Sequence, residues 1–143
     1  MSDGRYAIIV GRFYEDLAGR LVAGARAAFE AAGAVVVDVY DVPGAFELPF
    51  ATQLVAQSGR YDGIACLGAV IRGETDHYDF VCAEAAQGIG QVARATGVPC
   101  GFGVLTVDSM EQALERSGGD RRDSGRSAAE AVLALVALRE RLN

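Results

Sequence analysis

The run Gly68-Ala69-Val70-Ile71-Arg72-Gly73-Glu74-Thr75-Asp76-His77 gathers more chemistry than any other part of the chain. It follows an apolar, strand-like segment and opens a helix, so its backbone N–H groups point to where an anion would sit. Gly73 permits close approach and Thr75 adds a hydroxyl. The G-K-[ST] of a Walker loop is absent, which excludes that mode of phosphate binding. His77 is the only histidine, and an imidazole at the end of such a loop suits proton transfer near neutral pH. Taken alone, the same run also reads as an ordinary strand-to-helix turn with a solvated histidine at a helix start.

Three other places offer complementary chemistry. Glu47 lies at a helix start, where the dipole favours a carboxylate, and its acceptor oxygens suit a polyhydroxyl chain. Phe13, in the loop after the first strand, can stack on a planar ring or simply cap the sheet edge. Arg116, Arg121, Arg122 and Arg126 cluster in an acidic chain, either as a local attractor for a phosphate dianion or as a solvated charged loop. All thirteen basic residues are arginine, so no lysine Schiff base is available. Any imine must come from the substrates.

These residues need elements to hold them. Arg5 to Val10 reads as a strand, and from about Asp16 the residues Leu17, Leu21, Ala25, Ala28, Phe29 and Ala32 recur at helical spacing until Gly33 stops them. Ala34 to Tyr40 is valine-rich and reads as a second strand, followed by a turn at Asp41-Val42-Pro43-Gly44 and a helix from about Glu47 with Pro49 in its first turn. Ile64 to Leu67 reads as a third strand, Tyr78 to Thr96 as a helix ending at Gly97-Val98-Pro99, and Cys100 to Val107 as a fourth strand. Ser109 to Arg116 reads as a short helix and Ser117 to Gly125 as a polar loop. The last helix then starts near Ser127, with Glu130 completing a capping box. Such alternation predicts an α/β fold: a three-layer α/β/α sandwich around a four-stranded parallel sheet in flavodoxin-like order. Ligands of such sheets bind beyond the carboxyl ends of the strands.

Composition narrows the function classes. The 143 residues fit one domain spanning 1–143, and 51% hydrophobic content argues for a packed core. A net charge of −6 disfavours nucleic acid, and no apolar stretch approaches the roughly 20 residues that cross a bilayer. With no signal-like N-terminus and with Cys66, Cys82 and Cys100 lacking a CxxC pair, a cytoplasmic protein with free thiols is expected.

Taken together, R-F after the first strand, V-P-G-A-F-E-L-P, G-A-V-I-R-G-E-T-x-H, G-V-P-x-x-F-G-V-L-T and E-Q-A-L-E-R closely resemble the lumazine synthase family. The resemblance implies condensation of 5-amino-6-(D-ribitylamino)uracil with 3,4-dihydroxy-2-butanone 4-phosphate to 6,7-dimethyl-8-ribityllumazine in riboflavin biosynthesis, with no metal or organic cofactor. It implies that Phe13 stacks on the pyrimidine, that Ala45, Phe46 and Glu47 line the ribityl site, and that Ala69, Val70 and Ile71 meet the ring. Gly73, Glu74 and Thr75 would cradle the phosphate and His77 would shuttle protons. Phe102 and Arg116 would arrive from the adjacent subunit of a pentamer, which in turn can build decamers or icosahedral shells. Two positions depart from the family pattern: Tyr14 replaces a frequent asparagine, and Ser124 stands where a phosphate-side lysine is usual. The second leaves a catalytically weak homologue, serving as a shell or a ribityl-compound binder, as the competing expectation. A flavodoxin-like regulatory domain is disfavoured, because Asp41 and Asp108 are too isolated to form an acidic phospho-acceptor cluster.

Overall fold

The computed structural model describes residues 4–118 and 121–143. The strands are β1 (Arg5–Gly11), β2 (Val36–Val42), β3 (Gly63–Ile71) and β4 (Cys100–Val107), all parallel, in the order β2-β1-β3-β4. The helices are α1 (Glu15–Ala31), α2 (Leu48–Gln57), α3 (His77–Thr96), α4 (Met110–Glu115) and α5 (Ser124–Leu142). The expected flavodoxin-like three-layer arrangement is what the chain adopts.

Alternation along the strands divides the core in two. Tyr6, Ile8 and Val10 of β1 point with Ala65 and Leu67 of β3 toward α1 and α5, whereas Ala7, Ile9, Ile64 and Cys66 point toward α2 and α3. On α1, Leu17, Leu21, Ala25 and Phe29 recur every fourth residue and are fully buried. Phe29 stacks on Tyr6 with ring centroids 4.4 Å apart. Helix α5 crosses α1 so closely that a Cβ on Gly125 would overlap the Leu21 carbonyl, and glycine is required there. Under α2, the buried Thr52 hydroxyl donates to the Leu48 carbonyl at 2.7 Å and meets Cys66 Sγ at 3.3 Å, which satisfies it inside the core. Cys66, Cys82 and Cys100 are free thiols, Cys66 fully buried and the others partly so.

Several element boundaries differ from the sequence reading. Strand β3 runs four residues further, so Ala69, Val70 and Ile71 are strand residues, and His77 is the first residue of α3 rather than the end of a loop. Strand β2 is shifted to include Asp41 and Val42, and a 3₁₀ turn at Ala45–Glu47 precedes α2. The Ser127–Glu130 capping box does not form. Asp123 caps α5 instead, its carboxylate accepting the Arg126 N–H at 3.1 Å, while Glu130 pairs with the Arg126 side chain. The loop read over Ser117 to Gly125 therefore ends earlier, and Ser117 pairs with Asp123 in an isolated bridge. Gly119 and Asp120 of that loop, like Met1 to Asp3 of the N-terminus, lie outside the described residues.

Candidate active site

At the carboxyl ends of β1, β2 and β3 the chain folds around a pocket of about 600 Å³. Its place follows from the topology. The chain crosses from β2 over β1 to β3, so the loops after β1 and β3 diverge to opposite faces and leave a crevice between them. The crevice stays narrow at its base because Gly11 lets the end of β1 meet the backbone of Gly44, where a Cβ would come within 2.8 Å of a carbonyl carbon.

The walls come from three loops. Phe13 and Tyr14 form one, their rings edge-on at 4.9 Å, with Phe13 exposed toward the opening. Pro43, Gly44, Ala45, Phe46 and Glu47 form a second, carried on the 3₁₀ turn. The third contains Ala69, Val70 and Ile71 at the end of β3, then Gly73, Thr75 and His77, then Tyr78 and Val81 in the first turns of α3. Thr75 Oγ1 accepts the His77 backbone N–H at 3.3 Å, so the hydroxyl sits at the helix entrance with the imidazole beside it. The twenty-residue α3 directs the positive end of its dipole into this wall. Burial raises the Tyr78 hydroxyl pKa above its ordinary value.

Of the residues singled out in the sequence, Phe13, Ala45, Phe46, Glu47, Ala69, Val70, Ile71, Gly73, Thr75 and His77 meet on this pocket. Glu74 is exposed and does not line the pocket. Phe102, on β4, and Arg116, at the end of α4, are also absent from the wall of their own chain. Arg116 donates to the Gln112 carbonyl at 3.2 Å and faces Glu115 at 3.5 Å. Tyr78 and Val81 are wall residues that sequence reading missed. Val81 shares the buried stripe of α3 with Ala85, Ile89 and Val92, a spacing that by itself signals packing, and only its nearness to the loop marks it as lining a site.

A doubly wound parallel sheet with an aromatic, a carboxylate, a hydroxyl and an imidazole converging at its switch point defines an α/β protein with a small-molecule pocket at its strand ends. Residues 3–140 match the 6,7-dimethyl-8-ribityllumazine synthase family, and the chain belongs to that family. A 6,7-dimethyl-8-ribityllumazine synthase of Desulfatibacillum aliphaticivorans is 46% identical over 138 residues, covering 95% of this chain and 89% of the relative.

Proposed function

We propose that the strand-end pocket is where the chain performs the reaction of its family, condensing 5-amino-6-(D-ribitylamino)uracil with 3,4-dihydroxy-2-butanone 4-phosphate to 6,7-dimethyl-8-ribityllumazine in riboflavin biosynthesis. The observation that carries this reading is the convergence of Phe13, Glu47, Thr75 and His77, from three separate loops, on one pocket. Phe13 offers a face to the pyrimidine and Glu47 accepts hydrogen bonds from the ribityl hydroxyls. The uracil amine attacks the ketone, and the carbinolamine loses water only if a proton reaches its oxygen. His77 is the titratable group beside the anion wall that can move that proton. Gly73 and Thr75 hold the phosphate until it leaves. Glu74 joins that cradle through its backbone, since its side chain does not line the pocket.

Phe102 and Arg116 complete the pocket of an adjacent copy in a pentamer or larger shell. Support comes from their exclusion from the pocket of their own chain and from the exposed phenylalanines beside α2 and α3. No helix among the described residues is long and apolar enough to cross a membrane, and the free cysteines suit a reducing compartment, so we assign the protein to the cytoplasm.

Mixing the protein with both substrates and following lumazine fluorescence tests the reaction, and absence of product rejects it. Subunit sharing is tested by dissociating and reassociating an equal mixture of His77→Ala and Arg116→Ala proteins. Random assembly gives about a quarter of the sites both intact residues, and activity returns to about that level. If the mixture stays as inactive as its parents, the site is not shared.

A further inference from the structure

Two arginines that belong to no wall of the pocket brace its loops in the same way. Arg12 directly follows β1 and Arg72 directly follows β3. Each continues the ladder to the outer strand, Arg12 N–H donating to the Val42 carbonyl and Arg72 N–H to the Val107 carbonyl, both at 2.9 Å. Each side chain then reaches an aspartate at the carboxyl end of that strand: Arg12 Nε donates to Asp41 Oδ1 at 2.9 Å, and Arg72 Nε to Asp108 Oδ1 at 3.0 Å. Each also faces a carboxylate in the first turn of the next helix, Glu15 at 3.1 Å for Arg12 and Asp79 at 3.9 Å for Arg72. One guanidinium therefore joins a strand end, its neighbour and a helix start, and so brackets a loop at both ends. The first bracketed loop carries Phe13, and the second carries Gly73 and Thr75 and leads into His77. Arg72 also lies over the ring of Tyr78, itself a wall residue, at 4.3 Å.

We infer that Arg12 and Arg72 are paired positioning residues, each setting the wall that receives one substrate: Arg12 the ring-stacking wall for the ribitylaminouracil, Arg72 the phosphate and proton-transfer wall for the butanone phosphate. The inference rests on the site reading above. An arginine beside an anion loop suggests a phosphate ligand, but here each guanidinium already faces two carboxylates and neither lines the pocket. Its charge is committed to the brace. The planar fork matters because one group must meet partners in two directions, which an ammonium does less well. The pairs are partly exposed, with Arg12 at 29% and Arg72 at 51%, so they add little to global stability and act on the loops.

Steady-state kinetics on Arg12→Gln, Asp41→Asn, Arg72→Gln and Asp108→Asn, with melting temperatures beside them, tests this. Arg12→Gln and Asp41→Asn should raise KM for the ribitylaminouracil by about 3- to 10-fold, leaving the butanone phosphate within about twofold. Arg72→Gln and Asp108→Asn should do the reverse and lower kcat through His77, with Arg72→Lys recovering part of the loss. The aspartate variants discriminate most sharply. If Arg72 were a phosphate ligand, freeing it by Asp108→Asn would lower KM for the butanone phosphate, and that result overturns the inference. So does an equal rise for both substrates, or no change in either. Phe13→Ala and Thr75→Ala serve as controls on the walls themselves. If they leave KM for the uracil and the phosphate respectively unchanged, the site reading fails and the braces with it. If they shift KM and the arginine variants do not, the braces alone fail.

Discussion

The two faces of the sheet are finished to different degrees. Toward α1 and α5 the chain closes its own core: Phe29 is 0% exposed, stacked on Tyr6, and α5 presses on α1 at Gly125 without room for a methyl group. Toward α2 and α3 the uncovered side chains are aromatic, Phe50 69% exposed and Phe80 71%, with Phe46 and Phe102 also uncovered, whereas those on α5 are Leu135, Leu138 and Leu142. The pocket shows the same asymmetry, since the loops of β1, β2 and β3 form its walls while Phe102 and Arg116 stand apart from it. Stability and completeness are thus separate properties in this molecule. Both faces contribute buried core, with Ile9, Leu48, Ile64 and Cys66 fully buried toward α2 and α3, and on our reading the rings left uncovered on that second face serve assembly.

Paired substitutions of phenylalanine separate the two roles. Phe29→Ala removes a fully buried ring and should destabilise the fold by about 3–5 kcal/mol, seen as a large fall in melting temperature. Phe50→Glu removes an exposed ring, so the subunit should fold, but it sets a charge on the uncovered face. Assembly should fall to monomers in native mass measurements and activity should be nearly lost. If Phe50→Glu keeps the assembly of the unaltered protein, the α2/α3 face is not where copies meet.

Within the pocket the expected effects are smaller and differ in kind. His77→Ala should lower kcat by about 10-fold or more with KM for the ribitylaminouracil nearly unchanged, because proton transfer acts in the transition state. Arg116→Ala should raise KM for the butanone phosphate by about 10-fold or more, as expected when charge-assisted bonds to a dianion are lost. Steady-state kinetics with each substrate varied in turn checks both. A KM indifferent to Arg116 would mean that the phosphate lies elsewhere.

The fold was legible in the sequence wherever one element dictated its own pattern, as in the four-residue recurrence of α1. It was misread where a neighbour set the residue. Gly68 looked like the end of a strand, yet β3 continues through it. A Cβ there would lie 3.6 Å from Leu48 Cδ1 and 3.9 Å from Ala45 Cβ, so the site calls for a small residue where the 3₁₀ turn crosses the strand. Gly125 reads in the sequence as the end of a polar loop, but it lies in the first turn of α5, where the close crossing of α1 requires it and overrides its poor helix propensity. At the site, chemistry confined to one loop was readable. Tyr78 and Val81 were not, because a wall residue and a core residue follow the same helical spacing.

Ser124 gives the finest test of how the phosphate side is built. It is the first residue of α5, and its N–H donates to the Arg116 carbonyl at 2.8 Å. The N–H groups of Arg121 and Arg122 donate to the Glu115 carbonyl at 3.0 and 3.1 Å. Backbone bonds therefore knit Ser124, Arg116 and two further arginines into one knot, and the position lacking the family's lysine lies within it. Arg126 is engaged by Glu130 at 3.1 Å, but no carboxylate among the described residues pairs with Arg121 or Arg122. Those two arginines add guanidinium charge to the knot beside Arg116. A lysine at 124 would also place a cation at a helix N-terminus, which the dipole opposes by about 0.3–1 kcal/mol. Ser124→Lys should therefore change KM for the butanone phosphate by less than about threefold and lower the melting temperature slightly. A tenfold fall in KM would show instead that the arginines do not reach the phosphate, and that this chain runs with one cation too few.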